Sequence, residues 1–234
     1  GSNLTPYLSL GETALANSYL TREDFEKPEF KAPLEVYFCE SCYLAQLSHV
    51  VDRELLFRDY AYFTSTSPQT IGHFNTYAEK VMARFPELAR QLTFEIASND
   101  GILLQSFLKM GAKVLGIDPA RNVAEFAIQK GIETIPDFFT SASVPNLIKK
   151  YGKAGVILAN NVLAHTDVLN GIVAGVSQFL DKRGVFIFEV QYLLDLVQKN
   201  EFDNTYHEHT CYFSLHPLTR LIQKHGMDIF NVEH

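Results

Sequence analysis

Residues Phe94–Asp118, FEIASNDGILLQSFLKMGAKVLGID, decide the fold of this chain. The apolar run ending at Glu95 and Ile96 predicts a buried strand, and a turn of small and polar residues follows it. Apolar residues then recur at helical spacing until Gly111, and a second apolar strand ends at Asp118. Strand, turn, helix and strand in this order make half of a doubly wound sheet, so the sequence predicts an α/β fold.

The turn after the first strand has the pattern E-x-A-x-N-x-G over residues 95–101. Ala97 and Asn99 stand where the first two glycines of a nucleotide-binding turn are expected, which argues against a bound pyrophosphate. The leading acid, Glu95, suits a cationic or amino-bearing ligand, and Asp118 can accept hydrogen bonds from both hydroxyls of a ribose. These features favour S-adenosylmethionine, although an ordinary α/β turn followed by an acidic strand end has the same pattern.

Composition and charge indicate which classes of protein this chain can belong to. The chain has 234 residues, 47% of them hydrophobic, which is typical of a globular protein. Its net charge of -7 argues against a nucleic-acid partner. No apolar run approaches the roughly 20 residues of a membrane span, and the start has no signal-peptide pattern. Three cysteines do not make a disulfide framework, so we expect a cytoplasmic protein.

The N-terminal region contains one C-x-x-C motif. Residues 34–38 alternate as in a strand and run into Cys39 and Cys42, and residues 44–47 suggest the second strand of a hairpin. Such a pair is half of a structural zinc site, which normally has four ligands. Cys211 is distant in sequence, so no second pair is present. A redox dithiol or an inert pair are the alternatives to a half zinc knuckle.

An aromatic stretch precedes the sheet. Residues 55–67 combine closely spaced aromatic residues with a hydroxyl-rich loop. The favoured interpretation is aromatic packing followed by the N-cap of a helix over 70–85. The functional interpretation is a lid whose Tyr60 or Tyr62 phenol faces the active site. The sequence also predicts turns over 8–19.

The third strand of the sheet is predicted at 133–135. Asp137 and Phe138 follow it, and in a methyl-transfer fold an acid and an aromatic residue at this position can contact adenine. The alternative is that Phe138 and Phe139 are core residues, which must hold for at least one of them.

The fourth strand is predicted at 155–159 and leads into polar residues. Residues at the carboxyl end of a central parallel strand border the ligand crevice. Asn160 and Asn161 are therefore predicted ligand contacts. His165 is a further candidate, although a single histidine here could equally cap a helix or pack. A fifth strand is predicted over 185–190 and a last strand over 227–232.

The segment 202–214, FDNTYHEHTCYFS, has no helical or alternating pattern, yet it is dense in titratable groups. Tyr206–His209 places two His, a Glu and a Tyr in four residues, and buried polar groups each need a partner. A metal site is disfavoured because H-E-H lacks the spacing of H-E-x-x-H. General acid/base chemistry is favoured, with a histidine base oriented by a carboxylate beside a phenol.

Together these motifs resemble the S-adenosylmethionine-dependent sugar C-methyltransferases, which act on nucleotide-linked 4-keto-deoxysugars. The motifs that carry the resemblance are LGETALANSYL, CESC, FRDYAYFTSTS, FEIASNDGILLQSF, VLGIDPARNVA, ILANNVLAH and FDNTYHEHTCYFSL. The resemblance implies a Rossmann-like class I methyltransferase domain at 69–234 and a small β-rich N-terminal lobe at 1–68. That family has a second C-x-x-C upstream and a further C-terminal domain, so we expect this chain to be a fragment.

The resemblance also implies roles for individual residues. His209 is implied as the base that removes the proton next to the sugar ketone, leaving an enolate, with Tyr206 and Glu208 positioning it and His165 nearby. Tyr60 and Tyr62 are the expected substrate contacts. The expected contacts of the methyl donor are Glu95, Ala97, Asn99, Gly101, Asp118, Pro119, Asp137, Phe138, Asn160 and Asn161. An O- or N-methyltransferase, a nicotinamide oxidoreductase and a non-catalytic module are the alternatives.

Overall fold

A computed structural model of the chain describes residues 3–234. Its strands are β1 (Leu4–Ala14), β2 (Lys31–Cys39), β3 (Ala45–Leu47), β4 (Thr93–Ile96), β5 (Val114–Ile117), β6 (Thr134–Ile135), β7 (Ala154–Asn160), β8 (Leu180–Glu189) and β9 (Cys211–Tyr212). Its α-helices are α1 (Arg53–Phe57), α2 (Pro68–Arg84), α3 (Pro86–Gln91), α4 (Ile102–Lys109), α5 (Arg121–Gln129), α6 (Val144–Tyr151), α7 (Leu169–Phe179), α8 (Leu193–Lys199) and α9 (Leu215–Lys224). Short 3-10 helices occur at Arg22–Glu26, Thr64–Thr66, Leu163–His165 and Phe202–Asn204.

The chain forms two compact units, which differ from the division predicted at residue 68. The first unit comprises the chain up to Leu56 together with Leu163–Asp167 and Val190–His234. The second unit comprises Phe57–Val162 and Val168–Glu189. The C-terminal segment joins the first unit because its strand β9 pairs with β3, where Ala45 lies opposite Tyr212.

The second unit is built on a parallel sheet with strand order β6-β5-β4-β7-β8. From the centre of the sheet, the chain adds β5 and β6 on one side of β4, and β7 and β8 on the other side. The strand order therefore reverses between β4 and β7. This topology confirms the predicted doubly wound α/β fold, in which ligands bind at the carboxyl ends of the strands where the order reverses.

Aromatic side chains fill the core on one face of this sheet. Phe94 is fully buried, with ring centroids 5.0 Å from Phe179 and 5.5 Å from Phe139. Phe139 is therefore a core residue, whereas Phe138 is only partly buried. Burying a phenylalanine contributes about 1.5–3 kcal/mol, so this aromatic group is a main stabilising element beneath the sheet.

The first unit contains an antiparallel sheet with strand order β1-β2-β3-β9. Its core is formed where β2, β3 and β9 meet. The buried members of this core are Leu34, Val36, Ala45, Leu47 and Tyr212. The predicted hairpin around Cys39 and Cys42 is confirmed, since β2 and β3 pair across it.

Three local predictions were wrong. Residues 8–14, predicted as turns, lie in β1, whose two register shifts against β2 break the alternation that a strand normally shows. Strand β8 begins at Leu180 rather than at 185. Residues 227–232 are irregular, and Phe230 and Val232 are each 62% exposed, so this apolar run pairs with no strand in the described part of the chain. Within residues 3–234, no helix has both the length and the hydrophobicity to cross a membrane.

Candidate active site

The turn between β4 and α4 has an unusual backbone. Ala97, Asn99 and Gly101 have φ values of +52°, +48° and +75°, so every second residue is left-handed. These are the positions where a nucleotide-binding turn carries glycine, and glycine adopts positive φ at no steric cost. The turn therefore has the backbone shape of a glycine-rich ligand loop, and it adds the methyl group of Ala97 and the carboxamide of Asn99.

Ala97→Gly is expected to raise the free energy of unfolding by about 0.5–1 kcal/mol. A left-handed L-residue costs roughly 1–2 kcal/mol, and the greater unfolded-state entropy of glycine offsets part of that gain. Urea unfolding measures the change. The matched control is Ala78→Gly in the buried centre of α2, which is expected to lower stability by about 1 kcal/mol or more. A loss of stability in Ala97→Gly would contradict the inference that the backbone of Ala97 is strained in this turn.

Asp118 connects the end of β5 to this turn. Its Oδ2 accepts a hydrogen bond from the backbone N–H of Asn99, and its Oδ1 accepts one from Ala120, each at 2.8 Å. The side chain is buried, and burial raises its pKa to about 6 despite these two hydrogen bonds. A carboxylate has about four acceptor positions, so each oxygen can still accept a hydrogen bond from a ligand hydroxyl.

Glu95 and Asn160 end neighbouring strands of the same sheet. Glu95 Oε2 and both polar atoms of the Asn160 carboxamide are buried, and apart from the contacts of Asn160 with Glu95 and Tyr77 they have no hydrogen-bond partner among residues 3–234. Burial, followed by the negative charges of Asp118 and Asp100, raises the pKa of Glu95 well above its usual range. Asn161 has a φ of +54° and donates its backbone N–H to the carbonyl of Glu189. Unsatisfied buried groups of this kind point to a ligand that would satisfy them.

The aromatic segment forms a strap across this region, defined as Arg58–Ser65. The Asn99 carboxamide holds its C-terminal half: Oδ1 accepts the backbone N–H of Thr64 at 2.9 Å, and Nδ2 donates to the carbonyl of Tyr62 at 3.1 Å. Asp100 Oδ2 accepts the backbone N–H of Ser65 at 3.1 Å. The strap is therefore fixed to the β4–α4 turn through its backbone.

The N-terminal half of the strap contacts the next two loops. The Asn122 carboxamide accepts from the N–H of Tyr60 and donates to its carbonyl. The Arg58 guanidinium lies 4.7 Å from the centroid of the Phe138 ring and 3.7 Å from an oxygen of Asp137. Arg58 and Asn122 were not predicted site residues. The only signal for them in the sequence was the unusual density of aromatic and hydroxyl residues nearby.

The acid/base cluster lies in the first unit and centres on His209. Its Nδ1 lies 2.8 Å from the backbone carbonyl of Asn204, which can only accept, so Nδ1 carries the proton. Nε2 then carries the one in-plane lone pair of the ring, which accepts a hydrogen bond from the Tyr206 hydroxyl at 3.0 Å, with the Gln191 amide nitrogen at 3.4 Å. Burial lowers the pKa of His209. The imidazole is thus neutral, and Nε2 is the atom that can take up a proton.

Glu208 and His165 form the second half of this cluster. Glu208 is buried and accepts a hydrogen bond from the Asn17 carboxamide at 2.6 Å, with its other oxygen 3.9 Å from His165 Nδ1. The His165 ring packs edge-on against His209 at 4.6 Å, and burial lowers its pKa to about 3. The contact that orients His209 at Nδ1 is therefore made by a backbone carbonyl rather than by the predicted carboxylate.

The cysteine pair supplies only part of a metal site. Cys39 and Cys42 are free thiols at the hairpin between β2 and β3. Among residues 3–234, no group of three or more His, Cys, Asp or Glu side chains is arranged to hold a metal ion. A closed structural zinc site needs four ligands, so Cys39 and Cys42 make up half of one, as the sequence predicts.

The predicted site residues separate into two sets, one in each unit. The second unit contains the predicted donor contacts and the strap tyrosines: Tyr60, Tyr62, Glu95, Ala97, Asn99, Gly101, Asp118, Pro119, Asp137, Phe138, Asn160 and Asn161. The first unit contains the acid/base residues His165, Tyr206, Glu208 and His209, with Cys39 and Cys42 at a separate hairpin.

Comparison with known proteins finds two family models along the chain. A family model described as "Putative zinc binding domain" matches residues 1–57, and one described as "Methyltransferase domain" matches residues 72–232. The chain is 36% identical over 225 residues to the C-methyltransferase NovU of Streptomyces niveus. That match covers 96% of this chain and 54% of the relative, so the chain spans about half of its length.

Solved structures share the fold. A SAM-dependent methyltransferase from Archaeoglobus fulgidus superposes with a TM-score of 0.51 at 14% identity, covering 65% of this chain and 68% of that one. The magnesium protoporphyrin IX methyltransferase of Synechocystis PCC 6803, solved with bound SAH, has a TM-score of 0.50 at 16% identity, covering 67% and 72%. The methyltransferase-domain model matches more than half of the chain, which therefore belongs to that family, and the similarity to a C-methyltransferase agrees with the resemblance predicted from its motifs.

Proposed function

We propose that this chain acts in S-adenosylmethionine-dependent methyl transfer to a carbon atom of a nucleotide-linked keto-deoxysugar. One observation carries the choice of carbon as acceptor: the Nε2 of His209 is an unprotonated, oriented base beside a phenol. A carbon next to a ketone must lose a proton before it can attack, and the phenol beside the base can donate a hydrogen bond to the enolate oxygen that forms. A hydroxyl or amine acceptor can also use the base, but it generates no such oxyanion.

The second unit provides the groups suited to the methyl donor. Asp118 has acceptor positions for the ribose hydroxyls, and Phe138 offers an aromatic face for adenine, with Asp137 beside it. Glu95 and Asn160 present buried polar atoms to the amino-acid end. Apart from the contacts of Asn160 with its two neighbours, these atoms have no hydrogen-bond partner among the described residues. When bound, S-adenosylmethionine supplies a methyl group activated by its sulfonium charge.

The first unit provides the proton chemistry. His209 Nε2 removes the proton from the carbon next to the sugar ketone, and the electron pair of that C–H bond moves onto the ketone oxygen to give an enolate. Burial raises the pKa of Tyr206, so its hydroxyl stays protonated. As Nε2 takes up the proton, the Tyr206 hydroxyl turns from Nε2 to donate to the developing oxyanion. The enolate carbon would then bond to the methyl group as the bond between that methyl group and sulfur breaks, leaving S-adenosylhomocysteine.

Calorimetric titration tests the donor assignment. We expect the chain to bind S-adenosylmethionine and S-adenosylhomocysteine and not NADH, because the turn after β4 suits a ligand without pyrophosphate. Binding of NADH alone would overturn the assignment and favour a nicotinamide oxidoreductase. Binding of none of the three would also count against it.

A further inference from the structure

Three polar side chains from separate elements of the second unit meet beside the end of β4. They are Tyr77 on α2, Glu95 on β4 and Asn160 on β7. Glu95 and Asn160 are predicted ligand contacts, but Tyr77 has no assigned role. Its place on an amphipathic helix, with its ring 6.5 Å from Phe74, makes it resemble an ordinary core aromatic residue.

None of the three groups has a hydrogen-bond partner outside this cluster in the described part of the chain. The Tyr77 hydroxyl, Glu95 Oε2 and both polar atoms of the Asn160 carboxamide are buried. Asn160 contacts Tyr77 and Glu95, and no other residue in the range 3–234 forms a hydrogen bond with these atoms. Polar atoms that converge from three elements in this way are not explained by packing, because apolar side chains at these positions would avoid the cost of burying polar groups.

The charges around these atoms indicate what the missing partner is. Glu95 is surrounded by the carboxylates of Asp118, Asp100 and Glu189, and Glu189 itself pairs with His73 at 2.9 Å. Burial and the nearby Glu189 and Glu95 raise the pKa of Tyr77, so its hydroxyl remains a hydrogen-bond donor. The cluster therefore offers the Glu95 carboxyl as a hydrogen-bond acceptor and the Tyr77 hydroxyl as a neutral donor. The Asn160 carboxamide can both donate and accept.

An α-amino-acid group complements this arrangement atom by atom. Its ammonium can donate to Glu95 Oε2 and the Asn160 carbonyl, and its carboxylate can accept from the Tyr77 hydroxyl and the Asn160 amide. We propose that Tyr77 is a ligand-binding residue whose hydroxyl donates to the α-carboxylate at the amino-acid end of the methyl donor. This inference rests on the proposed function and adds to it a residue on α2, outside the loops at the strand ends.

Tyr77→Phe tests the proposal with two nucleosides. S-adenosylhomocysteine carries the amino-acid end, whereas 5′-methylthioadenosine has the same adenosine and thioether without it. We expect Tyr77→Phe to raise the Kd of S-adenosylhomocysteine about 10-fold or more, since a hydrogen bond to a charged group is lost. The Kd of 5′-methylthioadenosine should not change. Calorimetry measures both.

The matched control is Tyr151→Phe, which removes an exposed hydroxyl bonded to Glu133 in the same unit and should leave both Kd values unchanged. The melting temperature of unliganded Tyr77→Phe should stay close to that of the parent chain, because the hydroxyl it loses contacts only Asn160 among residues 3–234. An unchanged Kd for S-adenosylhomocysteine, or equal weakening of both nucleosides, would overturn the role of Tyr77. If the parent chain binds neither nucleoside, the proposed function itself fails, and the role of Tyr77 with it.

Discussion

His209→Asn is expected to lower the rate of methyl transfer by about 10²–10⁴-fold, the usual contribution of a positioned general base. Asparagine can keep a hydrogen bond to the Asn204 carbonyl, but its amide cannot take a proton from carbon. The affinity for S-adenosylhomocysteine should stay the same, because the predicted donor contacts all lie in the other unit. Rates with a nucleotide-linked 4-keto-deoxysugar and calorimetry together measure the two effects.

A histidine of the same unit provides the control. His216 is exposed and its ring packs edge-on against Tyr43, with the centroids 4.9 Å apart, so His216→Asn should leave the rate unchanged. Incubating the sugar in D₂O gives an independent readout, since the parent chain should exchange the proton next to the ketone and His209→Asn should not. Full methyl transfer by His209→Asn would show that another group is the base.

The pH dependence of this step follows from the environment of His209. Because burial lowers its pKa, Nε2 is unprotonated throughout the neutral range. The rate of proton removal should therefore stay constant as the pH falls through 6.5, the ordinary pKa of histidine. It should decline only at lower pH. Initial rates of deuterium exchange across this range measure the midpoint.

Asp118→Ala is expected to weaken S-adenosylhomocysteine binding by about 100-fold or more, because each hydrogen bond to a charged acceptor contributes about 1.5–3 kcal/mol and the ribose offers two hydroxyls. The substitution also releases the backbone N–H groups of Asn99 and Ala120, which loosens the turn. Asp137→Ala is the control on the adenine side: its carboxyl is exposed, and we expect a smaller loss. Equal Kd values for Asp118→Ala and the parent chain would contradict the ribose assignment.

The raised pKa of Asp118 predicts a second effect. The carboxyl titrates at about 6 in the folded chain, above its ordinary value of 3.8, so the folded state binds the proton more tightly and this group disfavours folding as the pH rises from 3.8 to about 6. Ribose hydroxyls favour the ionised form, so ligand binding should release a proton within that window. Titrations in buffers of different ionisation enthalpy measure this release. A Kd that is constant between pH 5 and 7 would contradict the prediction.

The sheet and its ligand turn could be predicted from the sequence because their signals are local. The run from Phe94 to Asp118 contains its own strands, helix and stop signal, and the acid at each strand end follows from its position in that run. The placement of β9 against β3 could not be predicted in this way. Ala45 and Tyr212 are far apart in sequence, and a two-residue strand has too short a pattern to indicate its partner.

The parts of the site that were missed depend on contacts between distant segments. Asn99 and Asn122 hold the strap through its backbone, and no side-chain pattern in residues 58–65 records those hydrogen bonds. Tyr77 has the spacing of a core residue, and what distinguishes it is a buried hydroxyl that contacts only Asn160 among the described residues. The Asn204 carbonyl that orients His209 is likewise a backbone group, which residue identity does not reveal.

The most direct test of carbon methylation is an NMR analysis of the product formed with a donor carrying a ¹³C-labelled methyl group. The chain would be incubated with that donor and a nucleotide-linked 4-keto-deoxysugar. We predict a labelled methyl group bonded to the ring carbon next to the ketone, with loss of the proton that this carbon carried. A labelled methyl group on oxygen or nitrogen would contradict the account, because that transfer needs no proton removal from carbon by His209.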